Sequence, residues 1–351
     1  MDTPTMAAFL DAWLEAQRTQ LQPSTWREYA GNTRRYLVPH LGDRPVPTIT
    51  HQDVTAFYRT LLAAGGLRGK PLALATVQRV AAMTHKVFED AVRDELVGAN
   101  PCDKALLPRV DPSAQPRELR VWTAEQLAAF LDRERERGRP LWPLWVVAAG
   151  TGMRRGALLG LRWVDVDVDR ATLHVRRALS MVSGTVRLKT PKTNRFRSLH
   201  VGAEVLRALA LRREQADRDA ATRTVADAPA SRDWGLVFTE PDGGHLAPQK
   251  VTDTWREAVR AAPQPSIRFH DLRHTHATLL LQAGISPKVV SARLGHASVK
   301  TTLDVYAEVL PAMDADAAAH FEAHVWPRPD DRADGASTGD SHAEGAIIGA
   351  I

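Results

Sequence analysis

The chain has 351 residues, enough for two domains with separate cores, and its 44% hydrophobic and 25% charged content is ordinary for a globular protein in water. A single cysteine, Cys102, excludes an intramolecular disulfide framework and any multi-cysteine metal site. The formal charge of +5 is uneven: two basic and five acidic residues lie from Trp326 onward, so residues 1–325 hold 44 basic against 36 acidic, a +8 body suited to a polyanion or simply to solubility.

The N-terminus has no basic-then-apolar signal pattern, and the most apolar stretch, Leu141–Gly150, is about half a membrane span, so a reducing cytoplasm is the expected compartment. Residues 1–105 read as helices alone. Met6, Phe9, Leu10, Trp13 and Leu14 fall at helical spacing. Thr25 and Glu28 form a capping-box pattern that opens a helix with Trp26, Tyr29, Tyr36 and Leu37 on its stripe, and Pro39 is expected to stop it. Thr50 with Asp53 opens another helix, ended by Gly65-Gly66, and a fourth runs from near Thr76 to Asn100-Pro101. Together they predict a compact helical domain. Its Arg27, Arg34, Arg35, Arg79 and Lys86 are candidates to grip a DNA backbone, although solvated helix faces carry the same charges. Pro108, Pro112 and Pro116 mark residues 106–120 as a linker.

A second domain is expected over residues 121–326. Thr123 and Gln126 cap a helix over Glu125–Glu136, and the apolar helix Leu141–Ala149 ends at Thr151-Gly152. A helix with Leu158, Leu159 and Leu161 follows. Strand-like runs at Ala171–Ala178, Thr185–Lys189 and Phe196–Val201 are separated by Ser183-Gly184 and by Pro191-Lys192-Thr193-Asn194, as in a small antiparallel sheet. Helices are expected over Ala203–Arg218 and Lys250–Ala261, with a loop or a frayed helix end to Arg232 and a short strand Leu236–Thr239 between them. Beyond Tyr306, Ala312–Val325 reads as an alanine-rich helix, and residues 327–351 as an acidic tail too poor in bulky apolar residues to order. The predicted fold class is mainly α with a small antiparallel β-sheet.

Four places carry candidate chemistry. Arg154 follows a Thr-Gly turn at a helix start, and Lys192 sits at a hairpin tip with Lys189 nearby. Arg273 lies three residues after His270 on one helix, and Tyr306 ten residues after His296. Each alone has a bland reading: a surface ion-pair arginine, a solubility lysine, a core tyrosine. His274 and His276 read as structural. His270 and His274 are four apart, but the residue after the first is Asp271 rather than the glutamate of a zinc-protease helix, and no third ligand is evident.

In combination these stretches resemble the tyrosine site-specific recombinases of the phage integrase family. The resemblance rests on Thr151-Gly152-Met153-Arg154 with Leu158-Leu159-Gly160-Leu161-Arg162-Trp163, on Thr190-Pro191-Lys192-Thr193, and on His270-Asp271-Leu272-Arg273. The last box is Leu294-Gly295-His296-Ala297-Ser298 with Thr301-Thr302-Leu303-Asp304-Val305-Tyr306. The boxes occur in order across residues 151–310, and the N-terminal helices resemble the family's SAM-like core-site DNA-binding domain.

The resemblance implies a DNA breaking-rejoining catalytic domain. Tyr306 would attack a scissile phosphate to leave a 3′-phosphotyrosyl link, and Arg154 and Arg273 would hold the non-bridging oxygens. Lys192 would act as general acid for the leaving 5′-oxygen, His270 in acid–base chemistry near the tyrosine, and His296 as a hydrogen bond to the phosphate. No cofactor, metal or ATP is implied. The implied partners are duplex DNA core sites, clamped between the two domains, and a homotetramer in the synaptic complex, with the Ala312–Val325 helix docking on a neighbour. The family also admits an excisionase-type accessory protein. A type IB topoisomerase shares this residue logic, and a recombinase-derived protein that only binds DNA is the other alternative. One position departs from the pattern: where the family usually has an acid three residues after its first arginine, this chain has Ala157, leaving weakened activity or compensation by Asp165 or another acid. Many phage integrases also carry an arm-site domain ahead of the helical one. Here Met1 begins almost at the first helix, which fits a core-site-only enzyme or a start placed too late.

Overall fold

The computed structural model of the chain describes residues 3–107, 119–182, 184–189, 196–222 and 234–306, together with residues 318, 321, 322 and 325. It separates into two compact units, Met1–Glu118 and Leu119–Ile351.

In the first unit, α1 (Met6–Gln20) starts where the Thr5 hydroxyl accepts from the Ala8 amide. Helix α2 (Pro23–Asn32) begins earlier than Thr25, because Pro23 fills the first turn, where its missing N–H costs nothing. Pro39 does not stop the chain. A π-helical turn at Thr33–Leu37 leads straight into α3 (Val38–Leu41), with the Val38 amide reaching back to the Thr33 carbonyl. That wider i to i+5 register absorbs the break that the Pro39 ring and missing donor would make in an α ladder. Helix α4 (His51–Ala64) carries the Thr50–Asp53 capping box in both directions, and α5 (Leu74–Arg93) completes the unit. Met6, Leu10, Leu37, Leu61, Val80 and Phe88 share one core, each large apolar side chain contributing roughly 1.5–3 kcal/mol by burial. Within it the Asp90 carboxylate, fully buried, accepts from Trp13 Nε1 at 2.8 Å and pairs with Lys86 at 2.9 Å and Arg93 at 2.7 Å. Lys86 is therefore occupied in holding the core, whereas Arg27, Arg34, Arg35 and Arg79 are exposed.

The second unit contains α6 (Ala124–Glu136), with the expected Thr123–Gln126 box, then α7 (Trp142–Thr151) and α8 (Arg155–Leu159). Two small antiparallel sheets follow. β1 (Val166–Asp167), β2 (Thr172–Val175) and β5 (Arg197–His200) form one in the order β1-β2-β5, and β3 (Ala178–Val182) with β4 (Thr185–Lys189) forms the other. The expected single strand Ala171–Ala178 is thus split, and β5 pairs with β2 rather than with β4. The split falls at Arg176 and Arg177, which both turn to the buried Asp165 carboxylate, at 3.3 and 3.5 Å. Leu236–Thr239 makes only isolated bridges, Leu236 to Arg162 and Thr239 to His245.

The remaining helices are α9 (Ala203–Thr222), α10 (Pro248–Arg260), α11 (Asp271–Gln282), α12 (Pro287–Leu294) and α13 (Val299–Tyr306). Trp122, Phe130, Trp145, Trp255 and Phe269 cluster with ring centroids 4.9 to 5.7 Å apart, tying α6, α7 and α10 to the entry of α11. Lys192 and the rest of Pro191–Asn194, residues 108–118 of the linker, the segment 223–233 and the tail 327–351 lie outside the described residues. Of the expected helix Ala312–Val325, the four described residues are helical. No helix among the described residues is long and apolar enough to cross a membrane.

Candidate active site

The site is assembled around the ends of two helices. An α-helix leaves its last carbonyls without partners, and a left-handed glycine is the usual way to turn the chain there. Gly152 ends α7 at φ 61° and Gly295 ends α12 at φ 67°. Neither position accepts a side chain. A Cβ on Gly152 would lie 2.7 Å from Leu294 and 2.8 Å from His276, and one on Gly295 would run into the Arg197 guanidinium. Thr151 secures the first turn by donating to the Val147 carbonyl and accepting from the Met153 amide.

Arg273, in the first turn of α11, bridges the two ends. It is 4% exposed, and its Nη1 donates to Gly152 O and Leu294 O, both at 2.8 Å. Its Nη2 is buried without a partner among the described residues. Burial, and then the neighbouring Arg154 and Arg197, pull its pKa down to about 9. Arg154 caps α8 and donates from Nη1 to Gly295 O at 3.3 Å, leaving most of its exposed guanidinium available. Asp271, the second residue of the box, is 3% exposed and locks Arg268 through both carboxylate oxygens, fixing the entry to α11.

Tyr306, the last residue of α13, is 1% exposed, and burial raises its pKa to about 12. Its hydroxyl lies 3.0 Å from His274 Nδ1. His274, read from the sequence as structural, is therefore the side chain that touches the candidate nucleophile. The spacing rule that found His270 and Arg273 says nothing about the next residue. The signal available was that positions 270 and 274 share one face of a helix, one turn apart. His270 stands edge-on to His274 with ring centroids 5.3 Å apart. Desolvation, then the charges of His274 and Arg273, hold the His270 pKa at about 4. Desolvation also lowers the His274 pKa. His296 follows Gly295, and its Nδ1 meets the buried Thr302 hydroxyl at 2.7 Å, which orients the ring; desolvation, Arg273 and Arg154 hold its pKa near 4. At all three positions the surroundings favour the neutral imidazole.

His276 does stay structural. Its Nδ1 donates to the Ala149 carbonyl at 2.8 Å, while its Nε2 accepts from Arg293 Nε at 3.0 Å. Arg293 also donates to the Gly150 and His200 carbonyls, joining α7, α12 and β5. Arg154, His270, Arg273, His296 and Tyr306 thus come together, with His274 added, while Lys192 lies outside the described residues. Asp165 is engaged by Arg176 and Arg177 rather than by the clustered arginines, and Ala157 is 7% exposed in the core beneath Arg154. Among the described residues no group of three or more His, Cys, Asp or Glu is placed to hold a metal ion. Such an array of fixed donors and a buried phenol can neutralise an anion with several oxygens while an oxygen nucleophile attacks it.

Comparison with known proteins gives two family matches: residues 119–313 match the phage integrase family, and residues 5–62 the phage integrase N-terminal SAM-like domain. A tyrosine recombinase XerC-like protein of Caldanaerobacter subterraneus subsp. tengcongensis is 27% identical over 89% of this chain and 81% of its own length. The ICEBs1 integrase of Bacillus subtilis is 26% identical over 81% of this chain and 74% of its own. Among solved structures, the Tn1549 transposon integrase in complex with a circular intermediate DNA shares the fold, with a TM-score of 0.71 at 20% identity over 86% of this chain and 94% of that one.

Proposed function

The chain belongs to the phage integrase family, and we propose that it is a site-specific tyrosine recombinase that cleaves and rejoins duplex DNA through a 3′-phosphotyrosyl intermediate. The observation that carries this reading is the Tyr306 hydroxyl, buried and held 3.0 Å from His274 on the helix that also bears Arg273. In the reaction the Tyr306 oxygen attacks the scissile phosphorus and the bond to the 5′-oxygen breaks. Tyr306 gives its proton to His274, whose neutral Nδ1 is already in place. The departing 5′-oxygen takes a proton from Lys192, the role the family pattern gives it. Arg273 through Nη2 and Arg154 through its free N–H groups hold the non-bridging oxygens, where a planar, always-charged fork serves better than an ammonium. His296, oriented by Thr302, adds a neutral donor. Attack by a second 5′-hydroxyl reverses the step and restores Tyr306. Because the phosphotyrosine stores the bond energy no ATP is required, and because the arginines supply the positive charge no metal is.

Two duplexes with two cleaved strands each call for four protomers, so the working assembly is a homotetramer on two core sites. The Met1–Glu118 unit contributes backbone contacts through its exposed arginines, as the SAM-like match suggests. The test is incubation of nicked core-site DNA with wild type and Tyr306→Phe, in EDTA and without ATP. A denaturation-resistant protein–DNA adduct from wild type alone is the expected result. No adduct from wild type on its own site, or an equal yield from the variant, overturns the reading.

A further inference from the structure

Three guanidinium groups meet at one turn, and only two of them have a role so far. Arg154 donates to Gly295 O and Arg273 to Leu294 O. The third, Arg197, reaches the same turn from β5. It approaches Gly295 so closely that a Cβ there would lie 3.0 Å from Arg197 Cζ and closer still to Nη1. The left-handed glycine therefore makes room for this guanidinium as well as turning the chain.

Arg197 makes little sense as a structural residue. Its Nε and Nη2 are buried with no hydrogen-bond partner among the described residues. Ion pairs shield Arg268, Arg176 and Arg177 elsewhere in the unit, yet none is recorded for Arg154, Arg197 or Arg273 among the described residues. Burial and then the Arg154 charge lower the Arg197 pKa to about 10, so the protein holds a cation against both desolvation and repulsion. Buried donors left open beside two like charges are the arrangement a multi-oxygen anion completes. Arg273 has one such open donor, Nη2, and the charge of Arg197 is felt at Arg273 and at His296.

We propose that Arg197 is a third phosphate-binding arginine, whose Nε and Nη2 donate to the scissile phosphate beside Arg154 and Arg273. This rests on the recombinase reading for the identity of the anion. The same guanidinium that packs on Gly295 thus links the β2–β5 sheet to the phosphate, and β5, a few residues after Lys192 in the chain, delivers a further cation to the reaction.

Two measurements test it on the full chain. In single-turnover cleavage of nicked DNA, Arg197→Gln lowers adduct formation by about 10²–10³-fold, the usual loss for one preorganised donor to a reacting oxyanion. On DNA with a neutral methylphosphonate at the scissile position the deficit shrinks at least tenfold, because less charge remains to be balanced. Arg197→Lys keeps the charge without the fork and falls between the two. An equal deficit on both substrates, or none, overturns the proposal. Separately, inorganic phosphate raises the unfolding temperature of wild type more than that of Arg197→Gln, with both equally folded in its absence. Equal shifts count against an anion site at Arg197. If wild type forms no adduct at all, the recombinase reading fails, while the phosphate measurement still decides on Arg197.

Discussion

At the scale of single residues the proposed chemistry turns on Tyr306 and His274. A phenol whose pKa burial has raised to about 12 does not ionise ahead of attack, so its proton must have an acceptor within reach during the step. In the proposed reaction His274 Nδ1, 3.0 Å away, is that acceptor, and it works only while neutral. Its pKa is lowered, so the active form is present above that pKa and is lost as the pH falls through it. The acid limb of single-turnover cleavage is therefore expected below the ordinary histidine value of about 6.5. His274→Phe should slow adduct formation by at least about 10²-fold, and His270→Phe by less. A limb at or above the ordinary value, or a larger effect at His270, would remove His274 from this role. The Ala157 departure also becomes a physical question. Arg154, Arg197 and Arg273 stand without an ion-pair acid among the described residues, and Asp165 is spent on Arg176 and Arg177. A carboxylate at position 157 would stand one turn from Arg154, whose cluster has no ion-pair acid among the described residues. Ala157→Glu is expected to keep or raise the adduct yield, and a clear loss in the nicked-DNA assay would count against it.

At the scale of elements, the candidate site is braced by helix ends rather than by helix faces. The carbonyls of Ala149, Gly150 and Gly152, at the end of α7, accept from His276, Arg293 and Arg273 respectively. His276 donates and accepts at once, so only the neutral ring fits. Burial and then the Arg293 charge hold its pKa at about 4. A depressed histidine pKa means the unfolded chain binds the extra proton, so this stability is full above about 6.5 and drains away as the pH falls toward 4. The loss is on the order of 3 kcal/mol for a group so buried. Urea unfolding of wild type should thus weaken between pH 7 and 4.5 by more than that of His276→Gln. Parallel pH dependences for the two proteins would show that His276 does not supply the term. Two of the three expected capping boxes, at Thr50 and Thr123, and the helix run of the second unit were legible in the sequence, because caps and 3.6-residue periodicity are local, whereas the Thr25–Glu28 pattern falls inside α2 and caps nothing. Strand partners were not. Alternation fixes which face of β5 is buried but not which strand it joins, and the break at Arg176-Arg177 depends on Asp165, which lies outside the alternating run. Pro39 misled for a similar reason, since the π turn that tolerates it is made by the residues before it.

At the scale of the whole molecule, the family was legible from the order of the motifs along the chain. What was not legible was the accounting of charge: which cations are already paired. Lys86, one of five candidate backbone contacts, is tied to Asp90, whereas Arg27, Arg34, Arg35 and Arg79 remain exposed. The first unit has its own core, so its surface can be changed without touching Tyr306. If those arginines lie on phosphates, each releases counterions on binding, and the slope of log affinity against log salt falls by about 0.9 for every contact removed. Replacing all four with Gln should therefore flatten the slope by about 2 to 4, with the largest loss of affinity at low salt. Adduct formation at saturating protein should remain close to wild type, because Arg154, Arg273 and His274 are unaltered. An unchanged slope would mean that the charge of the helical unit serves solubility. A slope that flattens together with a collapse of the saturated cleavage rate would mean instead that this unit takes part in building the active site.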